Sequence, residues 1–197
     1  MNPRIVLASQ SPRRKQLLES AGYRFDIVLP SETAECGICS KESTPELVAR
    51  LAYQKAKDVE PRVDGPAIIV ACDTVADIMG RVLGKPEDRR HAEEMIRLLS
   101  GREHGVYSGL CVTRIGDSAA SDPLVEVSKS TLAMEKLTDA QIEEYLDIED
   151  WVGKSGAFGY QDNHPWLKLI SGTAENVVGL PLDVLGRLLA QVGYQPN

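Results

Sequence analysis

The sequence has no long apolar run. Nothing in it approaches the ~18 residues of a membrane span, and the apolar part of its opening MNPRIVLAS is too short for a signal peptide. A cytoplasmic protein with no membrane partner is the expectation. Positive charge is in short supply too: 22 Lys and Arg stand against 29 Asp and Glu, a net charge of −7. That balance argues against a general surface for DNA, RNA or anionic lipid, all of which favour basic faces. An anionic ligand would then need a local basic pocket or a metal ion. The chain has four cysteines and three histidines. Cys36 and Cys39 form the one close pair, but zinc usually wants a second pair or nearby histidines, and His91, His104 and His164 show no ligand spacing. Reduced thiols are expected. Two nucleotide-binding signatures are missing: no G-x-G-x-x-G follows the first apolar segment, and no G-x-x-x-x-G-K-[ST] occurs. There is no internal repeat, low-complexity tract or linker.

What is present is a chain able to build a core. Hydrophobic residues make up 43% of the 197 residues, which suits a single domain, 1–197, with room for two lobes around a cleft. Strands are expected at Arg4–Ala8 and Tyr23–Pro30, along PAIIVACDTV, at VADIM and VLG with Gly80-Arg81 as their turn, and at His104–Ile115, Leu124–Glu135 and Leu167–Ser171. Helices are expected over 12–21, from Thr44-Pro45 to Val59, over Asp88–Ser100, from a Thr138–Gln141 capping box to about Tyr145, and over Pro181–Val192. Ser31–Ser43 and GKSGAFGYQD read as loops. Helices and strands interleave, but the central connections are hairpins. The predicted fold is therefore α/β, with a mixed, largely antiparallel twisted sheet and helices on both faces.

Four features could carry chemistry. Ser9-Gln-Ser-Pro-Arg13-Arg14 marks a strand-to-helix turn, with Ser11 as cap and Pro12 in the first turn. A helix N-terminus is already positive, so two arginines there cost stability unless an anion joins them. Asp73 ends the buried run IIVAC, where a carboxylate must be paired, bonded or bound to metal. Lys55 lies beside an apolar helical stripe, and Lys85 lies in the turn LGKP. The glycines of GKSGAFGYQD allow backbone to approach a ligand closely. Each has an ordinary reading as well: a solvated helix start, a turn cap, a snorkelling lysine, a surface loop. Together they offer a helix N-terminus, four cations and a carboxylate, which suits a triphosphate with a metal ion.

With these residues in place the chain resembles the Maf family of nucleoside triphosphate pyrophosphatases, relatives of the inosine triphosphate pyrophosphatases. LASQSPRRKQLL is similar to the family's S-x-SPRR opening, LVARLAYQKA to its lysine-bearing helix, and ACDTV to its aspartate–threonine motif. VLGKP, KSGAFGYQD and NVVGLPL resemble its later motifs. The resemblance implies hydrolysis between the α and β phosphates with a divalent cation, Mg2+ or Mn2+, to give a monophosphate and pyrophosphate. It implies that Ser9, Arg13 and Arg14 bind substrate phosphates, that Lys55 and Lys85 neutralise the triphosphate, and that Asp73 activates water or binds metal beside Thr74. A loop glutamate shares the metal, Glu35 being preferred to Glu32. Gln161 resembles the group acting on dTTP and UTP, since its amide suits the N3–H and carbonyls of a pyrimidine. Asp162 beside it is the other candidate. The family also admits a 7-methylguanosine triphosphate pyrophosphatase and a nucleotide-binding regulator of septum formation and cell division. A nucleoside triphosphate is the implied partner, with a homodimer as a further expectation.

Overall fold

The computed structural model describes residues 3–34, 42–162 and 164–195. Glu35, Cys36 and Cys39 lie outside them. The order is β1 (Arg4–Ala8), α1 (Pro12–Ser20), β2 (Phe25–Ile27), α2 (Thr44–Val59), β3 (Ala67–Ile78), β4 (Arg81–Leu83), α3 (Arg89–Leu99), β5 (Glu103–Ile115), β6 (Leu124–Met134), α4 (Asp139–Asp147), β7 (Leu167–Ser171), α5 (Ala174–Val178) and α6 (Leu182–Gln191). Short 3-10 turns occupy Glu32–Ala34, Ser155–Ala157 and Tyr160–Asp162.

Among the described residues seven strands form one sheet, ordered β2-β1-β3-β5-β6-β7, with β4 against the far end of β3. β1 runs parallel to β2 and β3, and every other pairing is antiparallel. The mixed, largely antiparallel sheet is thus the architecture expected from the hairpins.

β3 is buried on both faces, and its side chains alternate between them. Ile68, Val70 and Cys72 join α1 and α6 in one core, while Ala67, Ile69 and Ala71 pack on α2 on the opposite face. Further along β3, Ala76 and Ile78 enter a third core with α3, α4 and Phe158. α2 lies close to the sheet because Gly109 of β5 has no side chain. A Cβ there would overlap the Val48 carbonyl of α2. Gly109 is paired with Asp73 across the β3–β5 ladder, so this close approach occurs beside the aspartate.

The helix starts follow their sequences. Glu46 accepts hydrogen bonds from the Ser43 N–H and hydroxyl at α2, at 2.8 and 2.6 Å. The Thr138–Gln141 capping box opens α4. Several expectations need correction. Ser11 occupies the cap position of α1, but its side chain makes no capping bond. The Tyr23–Pro30 strand shrinks to Phe25–Ile27, because this edge strand pairs with β1 at only three positions. The β3–β4 turn is Met79-Gly80, not Gly80-Arg81. Both residues take positive φ, 55° and 79°, as a two-residue hairpin with matching twist requires. α5 falls in a segment for which the sequence suggested no helix.

Candidate active site

α1 begins where β1 ends, which brings its first turn to the end of the parallel β1–β3 pair. Arg14 is tied there by all three guanidinium nitrogens. Nε donates to the Gly179 carbonyl at 2.8 Å, Nη1 to Ser9 Oγ at 3.1 Å and Nη2 to Thr74 Oγ1 at 3.2 Å. Ser9 is buried, and its hydroxyl also accepts from the Ser11 N–H at 3.2 Å. Thr74 Oγ1 lies 2.8 Å from Ser108 Oγ, and Ser108 donates to the Asn176 carbonyl at 3.2 Å. Fully buried Asn176 donates to the Val106 carbonyl and to Ser130 Oγ. A polar seam therefore crosses this face of the sheet between the α1–α6 core and the α3–α4 core. The sequence pointed to Ser9, Arg14 and Thr74 but not to Ser108 or Asn176. Asn176 lies in the NVVGLPL motif, which was the one available signal.

Arg13 has a different setting. One Nη2 bond reaches the Gly153 carbonyl at 3.2 Å, and the side chain is half-buried. Burial and the neighbouring Arg14 lower its pKa, opposed by the charge of Asp162. A guanidinium partly stripped of water beside a second cation gains most from an anion.

Alternation along β3 turns Asp73 to the α2 face. There Lys55 Nζ donates to Asp73 Oδ1 at 2.6 Å, with Lys55 5% and Asp73 8% exposed. Asp73 Oδ2 accepts no hydrogen bond among the described residues. It is a hard oxygen of the kind Mg2+ or Mn2+ prefers, so the donor present here fits such an ion. Four residues further along that face, Asp77 accepts from Thr44 Oγ1 at 2.5 Å and from the Gly80 N–H at 3.1 Å. This bond fixes the start of α2 to the β3–β4 hairpin.

Lys85 is exposed, with no ion pair among the described residues, in the connection from β4 to α3. The Gly-rich segment is knitted to this end of the sheet. The Gly156 N–H donates to the Gly84 carbonyl at 2.9 Å, and Ser155 Oγ donates to the Thr74 carbonyl at 3.1 Å. Gln161 is exposed in the turn Tyr160–Asp162, while Asp162 is ion-paired to Lys154. Asp150, Asp162 and His164 each place a donor atom within 4.8 Å of the others.

The structure thus joins Lys55 to Asp73 and joins Ser9, Arg14 and Thr74. Arg13, Lys85 and Gln161 stand on the surrounding loops and helix start, tied to them through residues 153–156. Glu32, the other glutamate considered for the metal, is exposed in its 3-10 turn.

The family model for Maf-like protein matches residues 4–192. The chain belongs to the Maf family. A dTTP/UTP pyrophosphatase from Rhodopirellula baltica is 53% identical over 186 residues, 94% of this chain and 80% of that protein. Another so named, from Alkaliphilus oremlandii, is 37% identical over 94% of both chains. Among solved structures, a HAM1 protein from Coxiella burnetii is similar with a TM-score of 0.49 and 14% identity, over 96% of this chain and 99% of that one. No helix among the described residues is long and apolar enough to cross a membrane.

Proposed function

We propose that this Maf protein hydrolyses dTTP and UTP to the monophosphate and pyrophosphate, removing unwanted nucleotides from the cytoplasmic pool. The observation that carries the reading is the buried Lys55–Asp73 pair joining α2 to the central strand, beside the parallel β1–β3 end where α1 begins. Water attacks the α phosphorus, and the bond to the bridging oxygen of the β phosphate breaks. Asp73 accepts the proton of the attacking water. Charge builds on the departing pyrophosphate, where fixed cations lower the barrier most. Arg13 and Lys85 supply those charges. Arg14 contributes by holding the backbone of Gly179 and the hydroxyls of Ser9 and Thr74. Asp73, with Glu35, would hold the divalent cation. When bound, the cation neutralises phosphate charge and polarises the P–O bonds. Gln161 reads the pyrimidine through one donor and one acceptor.

The test is pyrophosphate release from dTTP, UTP and 7-methylguanosine triphosphate with Mg2+ or Mn2+. Release from the pyrimidine nucleotides is expected, and Asp73→Asn should reduce kcat by about 10²–10⁴-fold, the range for loss of a general base. Release from none of them would refute the enzymatic reading. Preference for the methylated guanine nucleotide would refute the role given to Gln161.

A further inference from the structure

The Gly-rich segment is held unequally along its length. Residues 155–157 are pinned by three bonds: Ser155 to the Thr74 carbonyl, the Gly156 N–H to the Gly84 carbonyl, and the Tyr145 hydroxyl to the Ala157 carbonyl at 3.0 Å. Beyond them, Phe158 is buried in the α3–α4 core. In the turn carrying Gln161, Tyr160 packs against the same core, and the ion pair that ties the turn back is the one from Lys154 to Asp162. Both side chains are largely buried, at 12% and 19% exposure. The chain is built around this contact. A Cβ on Gly159 would overlap the Asp162 carboxylate and lie 2.5 Å from Lys154 Nζ, so only glycine leaves room for the bridge. Lys154 follows Gly153, whose carbonyl accepts from Arg13.

We propose that the Lys154–Asp162 ion pair is a latch that sets base selectivity by positioning Gln161, with Asp162 acting through the loop and not on the base. A largely buried ion pair closing an eight-residue span removes loop conformations that Gln161 would otherwise sample. A preformed reader loses less entropy on binding, which improves affinity for the base it fits. This inference rests on the pyrimidine triphosphate reading given above.

The test compares Lys154→Gln, Asp162→Asn, the double variant and the exchanged pair Lys154→Asp/Asp162→Lys. Four quantities are read: kcat and KM for dTTP and for dGTP, inhibition by inorganic tripolyphosphate, and melting temperature. Each single variant should raise KM for dTTP by about tenfold, within the range for one lost polar contact, and leave kcat within about twofold. Selectivity for dTTP over dGTP should fall equally in both. The double variant should be no worse than either single one, because both remove the same contact. Inhibition by tripolyphosphate, which has no base, should not change. The exchanged pair should regain selectivity, which separates positioning from misfolding. A selective Lys154→Gln beside an unselective Asp162→Asn would overturn the latch and make Asp162 a direct reader. Weakened tripolyphosphate inhibition would overturn it in favour of phosphate binding. Metal-dependent loss shared by Asp150→Asn, Asp162→Asn and His164→Gln would overturn it in favour of a cation site. A wild-type protein that hydrolyses nothing refutes only the pyrophosphatase reading. Affinities for non-hydrolysable dTTP and dGTP analogues then decide the latch by the same pattern.

Discussion

Arg14 and Arg13 follow one another in sequence, yet they answer to different forces. Arg14 binds a carbonyl and two hydroxyls on three separate elements, while Arg13 makes one bond at the loop carbonyl of Gly153. Arg14→Ala should therefore cost about 3 kcal/mol, from stranded acceptors and the lost charge-assisted bonds. Arg14→Lys should recover little of it, since an ammonium lacks the planar fork that spans three acceptors. Arg13→Ala should change stability by less than about 1 kcal/mol and lower kcat/KM for dTTP strongly. Melts and kinetics on the same preparations check both. Lys55→Met gives a complementary test. It leaves Asp73 buried without its cation and should cost about 3 kcal/mol, most of which Asp73→Asn in the same chain should restore. Activity should not return with stability. The sequence made both arginines, Ser9, Lys55 and Asp73 visible through residue type and place. It could not assign Arg14 its anchoring contacts, because Gly179 and Thr74 reach it only through the completed fold. The Lys154–Asp162 pair was hidden for a similar reason: it depends on the path of a glycine-rich loop, which has no periodicity to read.

Elements with repeating pattern or chemical punctuation were legible. The capping box of α4 and the Ser43-Thr44-Pro45 start of α2 fall where the residues put them, whereas PAIIVACDTV and VADIM, read as two strands, form the single buried strand β3, which runs on through Asp73. α5 was not legible, since five residues make little more than one turn and its two valines favour strand by propensity. β2 was overestimated because Val28 and Leu29 continue an apolar stretch that no second strand covers. The β3–β4 turn was misplaced by one residue because Met79 lacks the usual turn signature. Met79 is 92% exposed, so packing does not explain it, and its positive φ is strained for a side chain of that kind. Met79→Asn should relieve this at no cost in contacts and stabilise the protein by about 0.5–1 kcal/mol. For a chain of this length that is a rise in Tm of roughly 1–4 °C, measurable by differential scanning calorimetry.

Across the whole molecule, acid stability should carry the mark of one buried histidine. His104 is 3% exposed on β5, edge-on to Phe158 at 5.0 Å, and burial lowers its pKa from 6.5 to about 4. Between those values the unfolded chain binds the proton and the folded chain does not. Stability contributed by neutral His104 is therefore intact above pH 6.5 and is lost as pH falls toward 4, by about 3 kcal/mol in all. Urea unfolding at pH 7 and pH 4 should show this loss in the wild type. His104→Leu should show a pH dependence smaller by that amount, since the carboxylates titrate in both proteins. An unchanged difference would mean that His104 is protonated in the folded state. His104 contacts Phe158 of the α3–α4 core, so its protonation would reach the Gly-rich segment bearing Gln161.

The bond from Arg14 to Gly179 joins positions 165 residues apart. On a ribosome adding roughly 5–20 residues each second, one partner waits about 8–33 s for the other to be made. Through that interval the first helix turn exposes two cations and Ser9 with neither the Gly179 carbonyl nor the Asn176 seam to receive them. The nascent chain can pair β1 with β3 and β3 with β5 long before this bond closes. The Arg14–Gly179 contact is among the last to form, so a chain stalled or cut before α5 would carry all seven strands and lack it.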